Sequence, residues 1–402
     1  MKGVIAAAIL VTGTAICAGT SVSQEKGLPE PSGPYAVGTA HLLFVDESRP
    51  ELFTDDPDDQ REVTVRAWYP ADPEIDAPVA PYYEDAAEMV RRYGYPPEFM
   101  DLDTHSMQDV PVSQEEDAYR VVLFNHGWGE HAVQNTILME ELASHGYIVF
   151  SLAHHYEAKY WAYPDGRLGY LSIGSSRFQE IMQEQGRPEI MELYRLMFTT
   201  RGAAAQESLF IRTVNAMPTF LGEGPRIWAG DIVFIIDELD SLNSVPGLFE
   251  GKLDLQNVGA MGMSLGGAAA AQACIGESRI KAVMNIDGGL LADLPDTTIK
   301  QPAMFMNSRR FIDYVDVFAS HVEGDAYILT IADADHYDFT DFTLLHREHP
   351  LMGTVEGRRM IDIMNEYTLA FFDFYLKGKE SDLLSGKSKP HPEADLRARE
   401  RP

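Results

Sequence analysis

The chain has 402 residues and a formal net charge of -30, from 62 acidic against 32 basic side chains. That excess argues against binding to a nucleic-acid phosphate backbone and against adhesion to anionic lipid surfaces, and the length suits one large core or two modest ones, an α/β domain of this size being ordinary. If the N-terminal stretch is removed past Cys17, Cys274 is the only thiol left, and the fold must then rest on its core rather than on internal disulfides.

Residues 1–23, "MKGVIAAAILVTGTAICAGTSVS", carry one lysine, an apolar run too short to span a bilayer comfortably, and then small residues. This pattern predicts an export signal and a secreted or periplasmic protein with no stable membrane insertion once the signal is removed. Ile16 stands where a lipid-anchor site at Cys17 would need a small residue, so lipidation is the less favoured reading. Residues 24–37 are rich in proline and glycine and predict an extended lead-in; the folded domain is expected over 38–378.

"TAHLLFV" and "EVTVRAWYP" predict an antiparallel opening pair. Three later runs, "YRVVLFNHG" from 119, "YIVFSLAHH" from 147 and "LQNVGAMG" from 255, are nearly continuous in apolar residues, as in strands covered on both faces. Between the first two, Val133, Ile137, Leu138 and Leu142 recur at helical spacing before Gly146, which makes a βαβ unit. "RIWAGDIVFIIDELDSLN" predicts a helix, "IKAVMNID", "PAMFMN" and "AYILTIAD" three more strands, and 357–378 a closing amphipathic helix. Strands alternating with helices predict a mainly parallel, doubly wound α/β sheet.

Residues 156–225 are too long for a simple crossover and predict an inserted helical cap. Met182, Met191, Met197, Phe198, Leu209 and Phe210 in it suit either an apolar substrate entrance or packing of the insert onto the core. Residues 379–402 are polar and are expected to fray. Cys274, on an alanine-rich helix, reads as a small core residue.

Chemistry concentrates at "GMSLGG", residues 262–267, where Gly262, Ser264 and Gly266 form a G-x-S-x-G pattern between a strand and a helix. The three residues alone are a weak signal. A strand-to-helix turn that lifts a serine above a sheet forces it into a strained backbone region, and glycines at 262 and 266 remove the collisions that side chains would cause. The serine then needs a base, which in this chain order comes last. His336, after the strand "AYILTIAD", fits; His321, His346, His349 and His391 lie elsewhere, His346 and His349 on an expected surface loop. The acid stays open between Asp287, ending one strand, and Asp313 or Asp316, one strand later. "NHGWGEH" predicts an oxyanion loop in which the Trp128 backbone NH pairs with that of Leu265, and the Trp128 ring forms a wall near the acyl group. His126 reads as a loop-stabilising residue and His154 as a possible substrate contact. His154 and His155, adjacent on a strand, point to opposite faces, and no partner at metal-ligand spacing supports a zinc or other metal site.

The motifs "GPYAVGT", "LFNHGWGE", "LASHGYIVFSLAHH", "GMSLGG", "NIDGG" and "HYDFTDF" together resemble the platelet-activating factor acetylhydrolases of the plasma and intracellular type II kind and their bacterial relatives, over most of 28–378. The resemblance implies an α/β-hydrolase fold and cofactor-free hydrolysis of short or oxidised acyl esters, including phospholipid-like ones. It carries the catalytic acid onto Asp287, the histidine onto His336 and the oxyanion donors onto Trp128 and Leu265. The insert has no counterpart in that resemblance, and the acidic surface fits lipoprotein binding poorly. A dienelactone-type, polyester- or amide-cleaving hydrolase, or a silent secreted binding protein on the same fold, are the competing readings.

Overall fold

The computed structural model describes residues 27–72, 76–308 and 314–399. The expected signal with Cys17, and the candidate Asp313, fall outside them, as do the side chains of Asp316 and Phe198.

In chain order the elements are β1 (Ala36–Pro50), β2 (Gln60–Ala71), β3 (Val79–Pro81), α1 (Ala86–Tyr93), β4 (Asp103–Gln108), β5 (Tyr119–Asn125), α2 (Thr136–Ser144), β6 (Tyr147–His154), β7 (Tyr160–Ala162) and β8 (Leu168–Tyr170). The insert adds α3 (Ser176–Gln185), α4 (Pro188–Thr199), α5 (Ala203–Ala216) and a π-helical turn (Pro218–Glu223) that runs into α6 (Gly224–Ser244). Then follow β9 (Leu253–Met263), α7 (Leu265–Ala273), β10 (Ile280–Ile286), β11 (Ala303–Ser308), α8 (Tyr314–Ser320), β12 (Ala326–Ile331), α9 (Phe342–Leu345), α10 (Gly357–Lys377) and β13 (Ala394–Arg399).

Eleven strands form one sheet in the order β13-β12-β11-β10-β9-β5-β6-β2-β1-β4-β3. The strands from β12 to β6 pair in parallel, whereas β1–β2, β2–β6 and β12–β13 are antiparallel. The central runs lack polar alternation because both faces are covered. Val121 and Leu123 of β5 join the core cluster of α6 and α7, and Val122 and Phe124 join the cluster of α2 and α10. Full burial of Phe371 and Phe372 on α10 stabilises that face by about 1.5–3 kcal/mol each. Cys274 is buried at the end of α7, as a small core residue should be, and burial pushes its thiol pKa up. Among the described residues no helix is long and apolar enough to cross a membrane.

The parallel strands β5, β9, β10 and β12 all deliver their carboxyl ends to one edge of the sheet, where sites of such folds lie. The helical insert follows the β7–β8 hairpin and packs α5 against α8 and the π-helical turn against α6. In it Leu209 and Phe210 are buried, and Met182 and Met197 pack against the same core.

The tail departs from expectation. Residues 394–399 form β13 on the exposed edge of β12, with Ala326 opposite Arg399 and Ile331 opposite Ala394. Alternation in "ADLRAR" turns Ala394 and Leu396 toward the core, and Arg359 holds the approach through Glu393, Nη2 to Oε2 2.8 Å. His391 is buried and sits 2.9 Å from Glu366. Removing the residues after 386 exposes the β12 edge; the thermal midpoint is expected to fall by several degrees and aggregation to rise. An unchanged midpoint in a scanning-calorimetry comparison contradicts this role.

Candidate active site

The turn between β9 and α7 places Ser264 at φ 56°, ψ −119°, a left-handed backbone for a residue with a side chain. Two glycines permit it. A Cβ on Gly262 would lie 2.4 Å from the carbonyl carbon of Gly266, and one on Gly266 would lie 2.2 Å from the Asn125 carbonyl oxygen and 2.4 Å from that of His126. The Ser264 NH donates to the Ile286 carbonyl at 2.8 Å, pinning the turn to β10. Its hydroxyl makes no hydrogen bond among the described residues and borders a cavity of about 220 Å³.

Asp287, one residue beyond β10, also has a positive φ of 47°. Its NH donates to Met306 O at 2.8 Å, and Oδ1 accepts from the Ser308 NH at 2.7 Å, so β11 orients the carboxylate. Oδ2 lies 2.6 Å from Nδ1 of His336. His336 opens a 3-10 turn (His336–Phe339) capped by Asp335 and Asp338. Asp338 accepts from Arg347 Nη1 at 2.6 Å and from the NH groups of Asp335 and Gly353. Asp341 accepts the Tyr82 hydroxyl at 2.9 Å. The acids of "HYDFTDF" thus build the loop that carries the histidine. Ser264, Asp287 and His336 border the same cavity, whereas His321 bonds Thr297 and Glu207 away from it. His349 departs from a plain surface loop: it packs on Tyr337 at 3.8 Å between centroids, and burial pushes its pKa down to about 4.

On the β5 side, Gly127 NH donates to Gln134 Oε1 at 2.9 Å, and Gly129, at φ 70°, donates to the Glu157 carbonyl at 3.0 Å. The NH groups of Trp128 and Leu265 have no partner among the described residues, which leaves both available to an oxyanion. His126 does stabilise this loop: Nδ1 donates to Gly127 O at 2.7 Å and Nε2 accepts the His154 NH at 3.1 Å. Burial pushes its pKa well down, so it is neutral with both nitrogens engaged.

His154 corrects the expectation of a substrate contact. It is fully buried, its nitrogens lie 2.8 Å from Asp231 and 3.1 Å from Asn125, and its ring stacks on Trp228 at 3.9 Å. It is absent from the cavity lining because α6 covers it. His155 turns the other way, onto Trp161.

Two polar arrangements escaped the sequence. Glu130 Oε1 accepts the Tyr337 hydroxyl at 2.6 Å and Lys159 Nζ at 2.9 Å, tying the loop after β5 to the loop of His336. The signal was there: Glu130 directly follows "HGWG" and Tyr337 directly follows His336. Behind the site, buried Arg61 pairs with Asp231 at 2.7 Å and Glu51 at 3.0 Å. Burial alone would raise Asp231, yet Arg61 and His154 hold its carboxyl well below the usual range. Glu157 accepts Trp228 Nε1 at 2.7 Å, and burial pushes it up to about 7.

Residues 20–167 and 229–389 match the family described as platelet-activating factor acetylhydrolase, isoform II. The dog platelet-activating factor acetylhydrolase is 22% identical, over 92% of this chain and 85% of that protein. A probable 1-alkyl-2-acetylglycerophosphocholine esterase of Arthroderma benhamiae is 22% identical, over 96% of this chain and 99% of its own length. Among solved structures, a ferulic acid esterase from Streptomyces cinnamoneus shares the α/β-hydrolase fold with a TM-score of 0.71, at 24% identity, over 92% of this chain and 99% of that one. The break in the family match, from 167 to 229, falls on most of the expected cap.

The raised Glu157 pKa makes a signed prediction. The unfolded chain loses this proton near the ordinary value of 4.5, the folded one at about 7, so this group's stabilisation is complete below the first value and is lost as pH rises through the second. Glu157→Gln keeps an acceptor for Trp228 and removes the titration. Thermal midpoints measured across that window should fall in the wild type relative to the variant; parallel curves contradict the assignment.

Proposed function

The chain belongs to the platelet-activating factor acetylhydrolase, isoform II, family and is a carboxylic ester hydrolase; from that premise we propose that Ser264, His336 and Asp287 carry out the hydrolysis through an acyl-enzyme. The observation that carries the reading is the 2.6 Å contact between Asp287 and Nδ1 of His336 at the cavity bordered by Ser264.

In the proposed reaction the Ser264 hydroxyl attacks the ester carbonyl while Nε2 of His336 takes its proton. Asp287, held by the Ser308 NH, accepts from Nδ1; this fixes the tautomer and stabilises the imidazolium that forms. The developing oxyanion is met by the free NH groups of Trp128 and Leu265, the latter at the N-terminus of α7. His336 returns the proton to the departing alcohol, and water, activated by the same imidazole, releases the acyl group. No step calls for a metal or cofactor.

The cavity volume of about 220 Å³ suits a compact acyl group rather than a long chain. Esters of short or oxidised acyl groups, among them acetylated glycerophosphocholines like those in the name of the fungal relative, are the proposed substrates. Residues 1–23 are proposed as an export signal, so that the mature enzyme works outside the cytoplasm.

With p-nitrophenyl acetate as substrate, Ser264→Ala and His336→Ala are expected to lose activity by roughly 10,000-fold or more in kcat while retaining the wild-type thermal midpoint. Asp287→Asn should fall by about 10,000-fold, since the amide favours the wrong imidazole tautomer. Near-normal turnover in Asp287→Asn, with Asp313→Asn crippled, would transfer the acid's role to the later residue.

A further inference from the structure

The cavity wall divides by origin. His336, Tyr337 and Leu351 come from the loop after β12, whereas Gln185, Tyr194, Met197, Phe210, Thr213 and Phe220 come from the insert where the family match breaks. Trp128 joins the second group: its ring packs edge-on to Phe220 at 5.0 Å and stacks on Phe178 at 5.9 Å. The departing alcohol must reach His336 for its proton, so the Trp128 and insert side is left to the acyl half of the ester.

That side has two properties. It presents the rings of Trp128, Tyr194, Phe210 and Phe220 around a volume of about 220 Å³, below that of a drug-sized pocket; aromatic walls of this kind favour another ring through edge and offset-stacked contacts. It also contains donors with nothing to donate to. Nε2 of Gln185 and Nε1 of Trp128 are both buried without a partner among the described residues, and Gln185 as a residue is only 5% exposed. The Gln185 amide makes no hydrogen bond among the described residues, although such groups are nearly always paired when buried. Thr213, also on the cavity wall, donates its hydroxyl to the Leu209 carbonyl at 2.7 Å. An oxygen on the ligand would complete the amide.

Resting on the ester-hydrolase reading above, and narrowing its range of compact acyl groups, we propose that Gln185 is a specificity-determining residue for the acyl group, and that acyl groups made of a single aromatic ring on a short tether, carrying an oxygen on the ring that the Gln185 amide hydrogen bonds, are preferred over alkyl ones of similar size. The aromatic wall selects the ring and the unpaired amide selects its oxygen. A site built to hydrogen-bond such an oxygen discriminates against the analogue that lacks it, because its buried polar group is then left unpaired.

The test compares kcat/KM for methyl 4-hydroxycinnamate, methyl cinnamate and methyl hexanoate in the wild type and in Gln185→Leu. The wild type is expected to favour the hydroxylated ring over the plain ring by about tenfold or more, and both over the alkyl ester. In Gln185→Leu, with its thermal midpoint retained, the ratio between the two aryl esters should fall to near one. A wild type that hydrolyses p-nitrophenyl acetate yet favours hexanoate, or does not distinguish the two aryl esters, overturns the proposal and leaves the hydrolase reading standing. A ratio that persists in Gln185→Leu overturns the role of Gln185. No turnover of any of these esters, p-nitrophenyl acetate included, would sink the hydrolase reading and this proposal with it. The wild-type panel decides the matter of substrate even where the leucine variant does not fold.

Discussion

The first turn of α7 rests directly on the carbonyl oxygens at the end of β5, with Gly266 touching Asn125 and His126 where no side chain could fit. That contact depends on Gly262 and Gly266 together, and the rest of the site follows from it. It forces Ser264 to φ 56°, a conformation that costs free energy and persists only where the surroundings over-determine it. Here they do: β10 receives the Ser264 NH, and the buried run Ala268–Ala271 packs into the core on one face of the sheet. It also brings the free NH of Leu265 beside the loop of Trp128, so that one approach of helix to strand sets both the hydroxyl and the pocket for negative charge.

Around this contact, polar groups tie the loops from four strand ends to one another, beside the apolar packing of Trp128 on the insert. Asp287 reaches from β10 to the β11 backbone and to His336; Glu130 reaches from the β5 loop to Tyr337; Gly129 is held by the turn after β6. Buried hydrogen bonds to charged groups are directional, and each one removed leaves a partner unpaired. The Arg61, Asp231 and Glu51 cluster behind the loop has the same character: it ties α6 to the strand β2, and breaking one member would strand a buried charge.

How much of this was legible depends on the range of the interaction. The sheet and the turn at Ser264 could be read because their causes are local: uninterrupted apolar runs for strands covered on both faces, and glycines two residues either side of a serine. His336 was legible from chain order and its place after a strand. Asp287 was not separable from Asp313 by spacing, since both follow strands; only the resemblance favoured it, and the contact with His336 is a distance between residues 49 apart in sequence. His154 was misjudged because nothing local announces that Trp228 and Asp231, more than seventy residues on, will cover it. The strand β13 was missed for a related reason: "ADLRAR" is too polar to declare itself and pairs only because β12 presents an open edge.

The central claim is that the ester's acyl group passes through a covalent bond to Ser264. It is tested most directly by mixing enzyme with excess p-nitrophenyl acetate, quenching in acid within the first turnover, and mapping the adduct by peptide mass spectrometry. The account predicts an increment of one acetyl group on the peptide containing Ser264, absent from Ser264→Ala. Turnover with no adduct on that peptide, or an acetyl group that forms and decays at the turnover rate on another residue, would contradict it.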